Sequence, residues 1–180
     1  MKNSVAILGG SFDPPHIGHL EIIKKALCAL SIEKFIVVPT FVSPFKKRHL
    51  APPNLRLKWL KKITDFDNRI EVSSFELERA KKSYTIETVN YFASFYDTIF
   101  FCLGADNLKS LHKWHRFDEL NKKVHWVIAS RGECMIDEKF IKLDVDVPIS
   151  SSILREEMNP KLIPKEIRNE VVKFYDESRS

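Results

Sequence analysis

Gly9-Gly10-Ser11-Phe12-Asp13-Pro14-Pro15-His16-Ile17-Gly18-His19 is the stretch from which the architecture of this chain can be read. It lies between an apolar run with strand character, Ser4 to Leu8, and a segment where Leu20, Ile23, Leu27 and Leu30 recur at helical spacing. The spacing predicts a strand, a glycine turn and a helix beginning near Gly18. Glycines at a strand end let the backbone approach a ligand closely, and the helix that follows aims free N–H groups and its positive dipole end at the same place. A phosphate suits that position. His16 and His19 sit three residues apart at the helix start, so they project from one face and can both donate to phosphate oxygens. Taken singly, a glycine pair also fits a plain tight turn, and each histidine a surface or cap residue. Together, at a strand-turn-helix junction, they point to function. Asp13 reads as the residue that fixes the turn.

Further strand-like runs follow at Lys34 to Val38, Arg69 to Val72, Thr98 to Leu103 and Val124 to Ala129. Asn54 to Phe66 carries Leu57, Leu60 and Ile63 in helical register, and Thr85 to Phe95 carries Ile86, Val89, Phe92 and Ala93 likewise, so both are predicted crossover helices. A sixth strand is expected within Phe140 to Val147, a serine-capped helix start within Ile149 to Met158, and a last helix from Pro164 to Tyr175. Strands alternating with helices predict an α/β fold with a mainly parallel sheet flanked by helices, binding ligands beyond the carboxyl ends of its strands. A length of 180 residues suits one domain and is short for two, so a single domain over 1–180 is expected, its helical part from about 149 packing on the same core.

A chain 44% hydrophobic and 29% charged has enough apolar surface to fold, which excludes disorder. No apolar run approaches the roughly 20 residues that cross a bilayer, and Gly9, Gly10, Ser11 and Asp13 interrupt the N-terminal run before a signal sequence could form. Cys28, Cys102 and Cys134 form no CxxC pair, and Cys28 and Cys102 read as small core residues. A cytoplasmic protein is expected. The net charge of +5 favours anionic ligands without a concentrated basic stripe, so phosphorylated small molecules are expected as partners rather than nucleic acid or membrane.

In Ile149-Ser150-Ser151-Ser152-Ile153-Leu154-Arg155, hydroxyls and backbone donors gather at a helix start with a guanidinium one turn on. Spacing alone fits a triphosphate clamp and an ordinary serine-capped helix equally. Ser83-Tyr84-Thr85-Ile86-Glu87-Thr88 and Gly104-Ala105-Asp106-Asn107-Leu108, the latter followed by Leu111 and Trp114, each place a polar residue near a helix start. By themselves they fit helix caps and a core tryptophan. The loop Pro39 to His49 is rich in positive charge, and Glu76, Glu78 and Arg79 read as charges that shape the loop before Ser83.

The opening stretch resembles the GxFDPxHxGH signature of the nucleotidyltransferase superfamily, with every fixed position present, and Ile149 to Arg155 is similar to that superfamily's ISSTxIR motif, with Ser152 for threonine. Three further segments resemble those of the nicotinate-nucleotide adenylyltransferase branch. Ser83 to Thr88 is similar to SYTxDT, with Glu87 for aspartate; Gly104 to Trp114 to GADxLxxLxxW; and Pro39 to Lys46 to PxxxPPHK, with Ser43 for the first proline and Phe45 for histidine.

The resemblance implies a Rossmann-like, doubly wound domain that transfers the adenylyl group of ATP to nicotinate mononucleotide in NAD biosynthesis, giving nicotinate adenine dinucleotide and pyrophosphate. It implies His16, His19 and Arg155 as catalytic residues, and Gly9, Gly10, Ser11, Phe12, Gly104, Asp106, Ile149, Ser150 and Ser151 around ATP. Thr85 and Trp114 would hold the nicotinate ring and its carboxylate, while Lys46 would face the mononucleotide phosphate; Arg131, just after the fifth strand, is a further phosphate-binding candidate by its position alone. The nucleophile is already an anion, so catalysis reduces to positioning and charge stabilisation. The implied cofactor is Mg²⁺ carried mainly by the ATP phosphates, with no metal ligands from the protein. Nicotinamide mononucleotide or another phosphorylated acceptor fits the same fold, and a non-catalytic nucleotide-binding module is the alternative of a different class. The oligomeric state is left open.

Overall fold

Runs of β-branched and aromatic residues that are apolar on both sides form strands only where both faces are covered. The computed structural model, described over residues 3–42, 49–130, 136–147 and 149–179, contains six strands, the inner four of this kind and two short edge strands with exposed charges: β1 (Ser4–Gly10), β2 (Lys34–Pro39), β3 (Ile70–Val72), β4 (Thr98–Gly104), β5 (His125–Ser130) and β6 (Ile141–Asp144). They pair in the order β3-β2-β1-β4-β5-β6, and every pairing is parallel. Helices α1 (Ile17–Ala29), α2 (Pro53–Thr64), α3 (Phe75–Glu78), α4 (Thr85–Phe92), α5 (Phe117–Lys123), α6 (Ser151–Glu156) and α7 (Arg168–Glu177) cover the two faces, with 3-10 helices at Ala105–Lys113 and Pro160–Leu162.

Alternation along each strand divides the core in two. Ala6 and Leu8 of β1 join Phe35, Val37, Cys102 and Val127 beneath α1, α2, α6 and α7. Val5 and Ile7 join Ile36, Phe101, Trp126 and Ile128 beneath α4, α5 and the longer 3-10 helix. Strand order reverses between β1 and β4, so a crevice opens beyond their carboxyl ends, where Gly10 and Gly104 lie. Among the described residues no helix is long and apolar enough to cross a membrane.

The expected strands form, but the sixth spans only Ile141–Asp144. The last helix begins at Arg168 rather than Pro164: Ile167 has non-helical backbone angles (φ −124°, ψ −3°), and a separate turn closes from its N–H to the Pro164 carbonyl at 3.1 Å. Cys28 is exposed, not buried as expected, because α1 turns Ile23, Ala26 and Leu27 inward and leaves Cys28 off that stripe. Cys102 is buried as expected, and Cys134 lies outside the described residues.

The charges before Ser83 also need correction. They fold into α3, and Glu76 is 5% exposed, its carboxylate accepting a hydrogen bond from the Thr88 hydroxyl at 2.5 Å. Burial pushes the Glu76 carboxyl up to about 7 from 4.5, against the pull of the Thr88 hydrogen bond and of Arg79. An acid whose folded value is raised costs stability as pH climbs from the unfolded value to the folded one. Glu76→Gln keeps the acceptor for Thr88, so it should raise stability at pH 8 by about 1–3 kcal/mol and change little at pH 4. Denaturant midpoints at the two pH values check this, and equal effects at both would contradict it.

Candidate active site

The signature turn is shaped by close approaches that its glycines permit. A Cβ on Gly10 would meet the Phe12 ring at 3.2 Å; Phe12 itself is buried with φ at 49°, in the left-handed region. A Cβ on Gly18 would sit 3.0 Å from His16 Nδ1 and 3.2 Å from Ile149 Cγ2, so only glycine lets the first turn of α1 lie against the segment that leads into α6. The Asp13–Pro14 peptide is cis. His16 occupies the N-cap of α1 with extended backbone, and its N–H donates to His19 Nδ1 at 3.1 Å. The two imidazoles stack with centroids 3.7 Å apart, and Phe12 meets His19 edge-on at 4.8 Å.

This contact fixes the chemistry of His19. An Nδ1 that accepts a hydrogen bond leaves the ring hydrogen of neutral imidazole on Nε2. Desolvation, and then the neighbouring His16, hold His19 well below its usual 6.5. At neutral pH His19 is therefore an uncharged donor.

The late serine helix meets the same turn from the other side. Ser150 caps α6, accepting from Ile153 N–H at 3.3 Å; Ser151 Oγ donates to the Pro14 carbonyl at 2.8 Å; Arg155 donates to the Asp13 carbonyl and to Ser152 Oγ, the latter at 3.0 Å. Between the segments lies a cleft of about 150 Å³ whose walls include His16, Gly18, Gly104, Asp106 and Ile149. Gly104, not Asp106, is the N-cap of the 3-10 helix, and Asp106 sits exposed in its first turn. Arg155 already has a partner in the turn, Asp13, and one in its own helix, Ser152, yet its side chain stays one-fifth exposed at 20%.

Thr85 opens α4 immediately after Tyr84, whose N–H donates to Glu87 at 2.8 Å; Glu87 also pairs with Arg79. The Tyr84 ring lies 4.4 Å from that of His115, which brings the start of α4 beside Trp114 at the end of the 3-10 helix. Trp114 meets Phe101 and Trp126 edge-on at 6.3 and 6.1 Å, and its Nε1 is buried with no partner among the described residues. Lys46 and Arg131 lie outside the described residues.

Two residues of this region were not foreseen from the sequence. Arg56 is fully buried, and Tyr175, 2% exposed, donates its hydroxyl to Asp13 Oδ1. A signal for Arg56 existed, since Arg56, Trp59, Leu60 and Ile63 follow the buried stripe of α2 at three- and four-residue steps.

Residues 7–157 match the cytidylyltransferase-like family. The chain is 42% identical over 175 residues to the probable nicotinate-nucleotide adenylyltransferase of Sulfurimonas denitrificans, covering 97% of this chain and 96% of that protein. This chain belongs to the nicotinate-nucleotide adenylyltransferase family. Another member, the probable enzyme of Aliarcobacter butzleri, is 42% identical over 172 residues, covering 93% of this chain and 94% of its own. In fold the chain resembles Plasmodium falciparum nicotinic acid mononucleotide adenylyltransferase complexed with NaAD, with a TM-score of 0.75 at 24% identity over 97% of this chain and 98% of that one. Helix α7, which supplies Tyr175 to Asp13, lies beyond the residues matched by the broader cytidylyltransferase-like family.

The tautomer and burial of His19 make a direct expectation: its imidazole half-protonates well below pH 6.5 in the folded protein. A histidine-resolved NMR titration checks this, and an ordinary midpoint for His19 would contradict the geometry.

Proposed function

We infer that this protein transfers the adenylyl group of ATP to nicotinate mononucleotide, forming nicotinate adenine dinucleotide and releasing pyrophosphate in NAD biosynthesis. One observation carries the reading: Ser151 Oγ on the Pro14 carbonyl joins the serine helix to the signature turn, and Ile149, which leads into that helix, borders one cleft with His16, Gly18 and the end of β4. Members of the family support the acceptor, since the relatives named above are nicotinate-nucleotide adenylyltransferases.

In the proposed reaction an oxygen of the mononucleotide phosphate attacks the α-phosphorus in line, and the bond to the bridging oxygen breaks as pyrophosphate leaves. His16 and His19 donate to the α- and β-phosphates, and His19 does so without bringing a charge that must be desolvated. Gly9, Gly10, Ser11 and Phe12 admit the phosphates; Gly104, Asp106 and Ile149 flank the adenosine; Ser150, Ser151 and Arg155 hold the leaving group. Thr85 and Trp114 hold the nicotinate end, with Lys46 and Arg131 on its phosphate. Enzymes of this family generally use a divalent metal with ATP, and we assign Mg²⁺. The cation would enter on the phosphate oxygens as part of the nucleotide substrate, neutralising their charge. The proposal extends to residues 1–180 as one catalytic domain working in the cytoplasm, with these nucleotides as its partners.

Pyrophosphate release from ATP, measured side by side with nicotinate and nicotinamide mononucleotides, tests the reading; the acid should turn over faster, and preference for the amide would overturn the acceptor assignment. His19→Ala should lower kcat by about 10² or more, the scale of one lost transition-state donor, in a variant that remains folded at the assay temperature. Near-normal turnover in that folded variant would remove His19 from the mechanism.

A further inference from the structure

The loop between β2 and α2 carries Lys46, and both its ends are tied to the signature turn by two buried side chains of opposite charge. Arg56 Nη1 donates to the Ser11 carbonyl at 2.7 Å, Nη2 to Thr40 at 2.8 Å and Phe41 at 3.4 Å, and Nε to Ala51 at 3.1 Å. Asp13 completes the clasp by accepting the N–H groups of Leu50 and Ala51 at 3.0 and 2.9 Å. Thr40 N–H adds a bond to the Gly10 carbonyl at 2.9 Å. A planar fork of five donors reaches carbonyls on three chain segments at once, which a lysine ammonium cannot do. Stability alone does not require the arrangement, since well-packed apolar residues often replace buried ionic groups without loss.

We propose that Arg56 is a positioning residue for the acceptor, holding Thr40, Phe41 and Ala51, at the two ends of the β2–α2 connection, in fixed register with the ATP-binding turn, so that occupancy of one steadies the other. The proposal rests on the function inferred above. Arg56 touches no substrate and acts through the backbone it holds.

Arg56→Lys keeps the charge and loses the fork. Its KM for nicotinate mononucleotide at saturating ATP should rise about tenfold or more while its binding constant for ATP without acceptor stays within about twofold, because most of the carbonyls it holds belong to the acceptor loop. The turn meanwhile keeps Tyr175, Ser151 and Arg155. Both constants rising together, or a lowered thermal midpoint with unchanged constants, would overturn the proposal. Hydrogen exchange on the wild-type chain decides the matter even if the variant does not fold. Adding α,β-methylene ATP without acceptor should slow exchange at the Leu50 and Ala51 amides by about tenfold, and unchanged exchange there would overturn the coupling. Failure of the wild-type chain to release pyrophosphate with nicotinate mononucleotide would count against the function instead, leaving the exchange result to judge the clasp.

Discussion

The carboxylate of Asp13 is the point on which the site depends. Its side chain is only 3% exposed, yet it accepts from the backbone of Leu50 and Ala51 and from the Tyr175 hydroxyl, with Arg155 at 3.9 Å. Burial alone would raise its pKa, but the hydrogen bonds from Tyr175, Ala51 and Leu50 and the charge of Arg155 together hold it below the usual 3.8. A depressed carboxyl contributes stability above its unfolded value and loses it as pH falls through the folded one. Removing any one donor leaves a buried charge short of partners, which costs more than a mean hydrogen bond contributes. Through this one group the turn after β1, the loop before α2, and helices α6 and α7 hold a common geometry.

Among the described residues, that geometry brings an uncharged His19 and the starts of α1 and α6 together near the strand-order switch. In the proposed reaction the phosphates would meet the α1 N-terminus and His19, kept uncharged by burial, so that dipoles fixed in advance supply positive character there. Preorganised dipoles suit a transfer whose nucleophile and leaving group are both anions. The excess of cationic side chains, +5 over the whole chain, acts at longer range.

Much of this was legible in the sequence because it is local. Strand cores show as apolar runs, α1 as a three-and-four stripe, and the turn as glycines and histidines at fixed spacing; Ser150 was readable as a cap because its acceptor role reaches only to Ile153. The unread parts depend on partners far along the chain. Arg56 and Tyr175 become meaningful only when folding brings them to Ser11 and Asp13, 45 and 162 residues away. Glu76 read as one of the charges that shape the loop before Ser83, and its burial follows only from α4 placing Thr88 against it. The 3-10 helix at Ala105–Lys113 offered no 3.6-residue apolar stripe; of its residues only Leu111 is buried.

The central claim is that the starts of α1 and α6 grip one triphosphate from two sides. A crystal structure with Mg²⁺ and α,β-methylene ATP tests it most directly. The account predicts phosphate oxygens within about 3 Å of His19 Nε2 and of a donor in Ser150 or Ser151 on the same nucleotide. A triphosphate bound away from either segment would contradict it.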